Sequence, residues 1–210
     1  MSLNARARSC ALGPLLFGLL ALSGAQAREP GSTAPAVVLA PGYSALNYPA
    51  PVAGTYRLPP IEMAADAPYL DSHGQRGTLH ALYDGHVTLL SFIYTQCDDV
   101  NGCPLATFVM SQLAKRLAAD PRIGRKLRLI SFSFDPLHDT PAVLEQYAQP
   151  FRPVGANWEF VTAPEPAALA PTLTAYQQSM QQTGGRAFAH ILRVFLIRSE
   201  ERRVGKECRL

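Results

Sequence analysis

An α/β domain built on an open sheet is the fold class this sequence predicts, and three observations predict it. Apolar runs of strand length alternate with stretches of helical spacing: residues 87–94 precede 105–117, residues 127–134 precede a helix from Pro141 to about Ala148, and residues 158–162 precede 165–176. Prolines stand where those helices begin, at Pro104, Pro141 and Pro166, and a proline there loses nothing because a first-turn N–H has no partner in any case. The chain also has to fold around a hydrophobic core: of its four cysteines, Cys10, Cys97, Cys103 and Cys208, only Cys97 and Cys103 fall in the mature domain, too few for a disulfide scaffold. Its 210 residues, 48% apolar, supply enough for one such core, with helices on both faces of the sheet.

Taken in order, residues 1–27 read as a secretory signal peptide. Arg6 and Arg8 form the positive start, residues 10–22 an apolar stretch broken by Gly13, Pro14 and Gly18, and Ala25-Gln26-Ala27 a small-x-small cleavage site. The apolar stretch is shorter than the roughly 20 residues that span a bilayer. An uncleaved membrane anchor is the alternative, and Cys10 is filler within the segment. Cleavage would place the domain outside the cytoplasm, in an oxidising compartment. Residues 28–61 are rich in Pro, Ala and Gly without periodicity and read as a linker ending at Pro59-Pro60. The domain then occupies 62–198, and 199–210 is a charged tail.

Within the domain, residues 66–86 hold turns and short strands, with Leu70 to Gly77 as a hairpin connection followed by 78–82. His73 and His80 read as surface polar residues. Asp84-Gly85 turns the chain into the strand 87–94. In the next helix, Leu105, Val109, Leu113 and Leu117 make the apolar stripe, and Met110 is core packing rather than a soft metal ligand. Strand 127–134 ends at Asp135-Pro136; Asp139 or Thr140 caps the helix that Pro141 opens, and His138 is exposed. Pro171 inside the pattern 165–176 predicts a kink or two short pieces. Residues 177–187 are polar and contain Gly184-Gly185, a flexible loop, after which His190 opens the strand 191–197.

The chemistry concentrates between strand 87–94 and the helix after it. That loop lies at the carboxyl end of a strand, where open sheets build their sites. With Pro104 as first helical residue, Cys103 is the N-cap, its sulfur over the positive end of the helix dipole, which favours the thiolate; Asp98 and Asp99 oppose it. Gly102 and Asn101 tolerate φ > 0, so the loop can fold back and bring the sulfurs together. Five residues separate the cysteines, so this is neither the C-x-x-C of a thioredoxin-type centre nor a haem attachment. A metal site, a redox pair and a structural disulfide all remain open. Asp135, at a neighbouring strand's carboxyl end, is either a partner of this loop or a cap of its own turn. His190 would complete a donor set of two thiolates and one imidazole, which suits copper, above all Cu(I), or zinc. A net charge of +3, with no basic run before residue 200, implies no nucleic acid, and no phosphate-loop, dinucleotide-binding or serine-nucleophile motif is present.

Together, Phe92-Ile93-Tyr94-Thr95-x-Cys97, Asp99-Val100, Cys103-Pro104, then Ser131-Phe132-Ser133-Phe134-Asp135-Pro136-x-x-Asp139-Thr140-Pro141, then His190 before an apolar strand, resemble the Sco (SenC) family over about residues 55–197. The resemblance implies a thioredoxin-like fold with a central mixed sheet flanked by helices. It also implies a periplasmic copper protein that assists assembly of the dinuclear copper centre of cytochrome c oxidase. Cys97, Cys103 and His190 would hold copper as Cu(I) or Cu(II), with Asp135 orienting the histidine or the loop from behind. The implied partner is the copper-centre subunit of the oxidase or another copper protein, with membrane contact only if the N-terminal segment stays uncleaved. The runner-up is a thiol–disulfide reductase that keeps a partner's copper-site cysteines reduced. A secreted domain with one structural disulfide is the third reading. Two departures stand out. The usual family loop has three residues between its cysteines where this one has five, and residues 199–210 lack the apolar periodicity of a closing helix, so a truncated or non-native C-terminal end is expected, with no role for Cys208.

Overall fold

A computed structural model describes residues 47–198 except 53 and 186, together with the strand 202–206. The leader 1–27, the linker up to residue 46, Cys10 and Cys208 lie outside the described residues. The elements run β1 (Glu62–Met63), β2 (Pro68–Asp71), β3 (Arg76–Thr78), α1 (Leu79–Tyr83), β4 (Val87–Ile93), α2 (Cys103–Ala119), α3 (Pro121–Gly124), β5 (Leu127–Ser133), α4 (Pro141–Ala148), β6 (Trp158–Thr162), α5 (Pro166–Ala175), β7 (Met180–Gly184), β8 (Ala187–His190), β9 (Val194–Ile197) and β10 (Arg202–Lys206). One mixed sheet has the order β1-β10-β9-β4-β5-β6-β2-β3, and β7 and β8 form a separate hairpin. Strands β4, β5 and β6 are parallel, while β9 and β2 join them antiparallel on either side.

The centre of the sheet follows from composition. β4 and β5 are near-continuous apolar runs because both of their faces are covered, the usual signature of a parallel pair. Their register, from Val87 opposite Leu127 to Ile93 opposite Ser133, ends both strands at the same level. Phe92 is buried among Phe132, Tyr176 and Phe195, with ring centroids 5.5, 5.6 and 5.9 Å away. Trp158 is also buried, and its indole N–H reaches Ser131 Oγ at 3.1 Å, which satisfies a donor the core would otherwise strand.

Several expectations needed correction. Residues 79–83, after the β2–β3 hairpin, are helix α1 rather than strand. The stretch 177–187 is largely ordered as β7 and the start of β8, because cross-strand pairing overrides its polar composition. His190 therefore closes β8 instead of opening the core strand, which begins only at Val194. In α2 the buried positions are Cys103, Leu105, Ala106, Thr107, Met110, Ser111, Ala114 and Leu117, with Val109 exposed, so the stripe is rotated from the one predicted; Met110 is core. Helix α5 runs through Pro171 without interruption, since in a helix of 10 residues the proline removes a single internal bond. Strand β10 places part of the charged tail on the sheet, between β1 and β9.

Phe92→Ala should cost about 3–5 kcal/mol, because the cavity is walled by rings on three sides that cannot collapse into it. Equilibrium urea unfolding, read as a lowered midpoint at unchanged slope, measures this.

Candidate metal centre

The site begins where β4 stops pairing. Phe134 N donates to Ile93 O at 3.0 Å, the last rung beside β5. The next two amides of the chain bond to side chains instead. Tyr94 N donates to Cys103 Sγ at 3.4 Å, and Thr95 N donates to Asp139 Oδ2 at 3.0 Å. The loop then folds tightly on Asp99, whose carboxylate accepts Asn101 N at 3.0 Å and whose carbonyl accepts Gly102 N at 2.8 Å. Gly102 is favoured by close packing and not by a left-handed backbone: its φ is −96°, but a Cβ there would crowd Cys97 Sγ at 3.1 Å and Asp99 O at 3.2 Å. This replaces the φ > 0 role expected of Gly102.

Gly102 is also the N-cap of α2, which makes Cys103 the first helical residue rather than the cap. Cys103 is fully buried and Cys97 partly exposed, and both are free thiols. The two behave oppositely. The hydrogen bond from the Cys103 thiol holds Cys97 well below the usual thiol range, to about 5, helped by the backbone N–H groups of Cys103 and Asp99 and by the Tyr94 phenol, against the effect of burial. Cys103 is pushed up by the same bond, by burial and by the charge on Cys97. The bond between the two thiols and the deeper burial of Cys103 thus favour the thiolate at the exposed sulfur and not, as the helix dipole alone predicts, at Cys103.

His190 arrives from 87 residues further along. In β8, Phe188 and His190 lie two apart, on one face of the hairpin. The Phe188 ring packs on Tyr94 and Phe134, with centroids 5.1 and 5.4 Å away, and the imidazole sits against the same two rings at 5.8 and 5.1 Å. That packing brings His190 Nε2 to 3.4 Å from Cys103 Sγ.

Asp135 is buried at the end of β5, yet its carboxylate oxygens both lie 2.8 Å from His138 Nδ1. The acid orients a histidine, but it is His138, which is half-buried rather than exposed. Among the described residues no hydrogen bond joins Asp135 to His190 or to the cysteine loop. The residue that does reach the loop is Asp139, which sequence reasoning treated only as a helix cap. Thr140 takes the cap, accepting from Val143 N, while Asp139 turns inward to Thr95 and Ser133. The available signal was its place one residue before Thr140, which as N-cap leaves Asp139 no capping work. His73 is exposed, and His80 Nε2 bonds Ala64 O at 3.0 Å, so neither belongs to the site.

Among the described residues no three Cys, His, Asp or Glu side chains already stand as a closed metal cage. The donors nevertheless suit copper: two thiols and an imidazole nitrogen, one thiol half-open to solvent and the other two groups in contact beneath it.

The sequence profile described as SCO1/SenC matches residues 66–207. A curated relative, the SCO1 protein homolog of Bacillus subtilis (strain 168), is 35% identical over 94 residues, which is 45% of this chain. That alignment spans 46% of the relative's length. Among solved structures, Bradyrhizobium japonicum ScoI with copper bound aligns at TM-score 0.60 and 26% identity, covering 70% of this chain and 89% of that one. BsSco, in which a disulfide switch is described and which is a member of the Sco family of cytochrome c oxidase assembly proteins, aligns at TM-score 0.58 and 25% identity, covering 70% of this chain and 84% of its own.

In the reduced, metal-free protein, iodoacetamide should label Cys97 well ahead of Cys103, because only Cys97 is reached by solvent. The thiolate is the reactive form and is populated above the pKa, so with Cys97 held at about 5 its labelling rate should stay flat from about pH 8 down to about pH 6 and decline below that. Peptide mass mapping over that range checks both points.

Proposed function

The chain belongs to the SCO1/SenC family, with its thioredoxin-like fold, and on that premise we propose that it is a copper-binding chaperone that assists assembly of the dinuclear copper centre of cytochrome c oxidase. The observation that carries this reading is the contact between His190 Nε2 and Cys103 Sγ, 3.4 Å apart beside Cys97. An imidazole nitrogen delivered to a buried thiol by a dedicated hairpin serves metal binding; a structural disulfide has no use for it. Cys97, Cys103 and His190 Nε2 are the proposed ligands, and copper, as Cu(I) or Cu(II), is the cargo.

Their unequal burial suggests how the cargo is passed on. Cys103 and His190 are held by packing from below, whereas Cys97 sits on a loop open to solvent. A partner's thiolate would therefore displace Cys97 first, taking its place as ligand while Cys97 leaves as thiolate. The copper-centre subunit of the oxidase, or another copper protein, is the proposed recipient. We place this exchange in the periplasm, with residues 1–27 as the export signal. No helix among the described residues is long and apolar enough to cross a membrane.

The same asymmetry supports a second reading, thiol–disulfide exchange with a partner's copper-site cysteines: an open Cys97 attacks and a buried Cys103 resolves the mixed disulfide. His190 separates the two readings, because metal binding needs its nitrogen and exchange between thiols does not.

The full chain should bind one copper with a thiolate-to-copper absorption band, and His190→Ala, Cys97→Ser and Cys103→Ser should each abolish it. A protein that holds no copper while its cysteine pair cycles with glutathione would replace the chaperone reading by the second.

A further inference from the structure

Asp139 takes part in neither reading, yet it is a carboxylate only 1% exposed. Its partners are Thr95 N at 3.0 Å, Thr95 Oγ1 at 2.5 Å and Ser133 Oγ at 2.5 Å; among the described residues no cation pairs with it. Burying a carboxylate without a counter-ion is expensive, and charge-assisted bonds to three donors are what make it tolerable. Two of the three belong to one residue of the cysteine loop. The clamp is anchored on rigid elements, since Asp139 directly precedes the N-cap of α4 and Ser133 ends β5.

Thr95 occupies a sensitive place. Tyr94, on one side, donates its amide to Cys103 Sγ and packs its ring against His190. Cys97 lies two residues on the other side. Asp139 therefore determines the point at which the chain leaves β4, and with it the direction in which the Cys97 arm sets out. We infer that Asp139, acting through Thr95, is a positioning residue that sets the effective concentration of the Cys97 sulfur at Cys103. This rests on the reading that the two cysteines act as a pair.

The test needs no copper. At neutral pH Cys97 and Cys103 give up two electrons and the one proton they hold between them to form one S–S bond, while glutathione disulfide takes up the electrons, that proton and a second from water and becomes two glutathiones. The clamp sits at the base of the loop, clear of both sulfurs, so it constrains the arm in either redox state; loosening it lowers the effective concentration of one thiol at the other. The equilibrium constant of the internal disulfide against glutathione should fall about tenfold in Thr95→Val and in Asp139→Asn, about 30 mV in potential. Thr95→Ser, which keeps the hydroxyl, should stay within about twofold of the unaltered chain, and Thr95→Val with Asp139→Asn should lose no more than either alone. The proposal is overturned if the variants match the unaltered chain, if Thr95→Ser falls as far as Thr95→Val, if the losses add, or if no internal disulfide forms at all. Should Asp139→Asn not fold, the Val and Ser variants of Thr95 decide. A chain that binds no copper would defeat the chaperone reading and leave this comparison intact.

Discussion

The parallel pairing of β4 with β5 is the constraint on which the site depends. Its register ends both strands at one level, Ile93 beside Ser133. Two loops then leave the sheet side by side, one carrying Cys97 and Cys103, the other carrying Asp135 and Asp139. A slip of the register by one residue would turn every side chain of β4 to the opposite face. Phe92 would leave its aromatic surroundings, and the amides of Tyr94 and Thr95 would no longer point at Cys103 and Asp139. The core and the site are therefore specified by the same set of backbone hydrogen bonds.

On that base the third donor is added by packing rather than by chain continuity. The β7–β8 hairpin stands apart from the main sheet and is held to it here by aromatic rings, Phe188 lying on Tyr94 and Phe134. Such contacts contribute on the order of 1 kcal/mol each beyond burial, enough to seat an arm without locking it. His190 rides on that arm. Its position relative to the thiols is therefore set by side-chain packing and not by the main sheet.

The five-residue spacing between the cysteines is compatible with this arrangement because Asp99 and Gly102 turn the loop back on itself. The added length costs little closure entropy. Its consequence is asymmetry: the helix buries one sulfur at its first residue, while the loop leaves the other at the surface. That asymmetry is what both proposed readings of the thiol pair, ligand exchange and disulfide exchange, draw on.

How much of this was legible beforehand depends on which kind of contact was being read. Strands 87–93, 127–133 and 158–162 and the helix behind Pro141 follow from local periodicity and capping, and they stand within a residue of where the pattern puts them. The two cysteines and His190 could be named because rare side chains in a recognisable order mark themselves. Other features were decided only in three dimensions. Polar residues 180–184 became a strand because a partner strand was available, and Thr140 took the capping role that freed Asp139 to reach Thr95, 44 residues away. The sharing of one proton between Cys97 and Cys103 likewise depends on the distance and unequal burial of two sulfurs, which no local pattern encodes. By itself, then, the sequence determined where the central strands and the helix after Pro141 form and which rare side chains were candidates for the chemistry. The tertiary structure decided which of those side chains meet and which sulfur carries the charge, because contact and burial belong to the packed chain and not to any stretch of it.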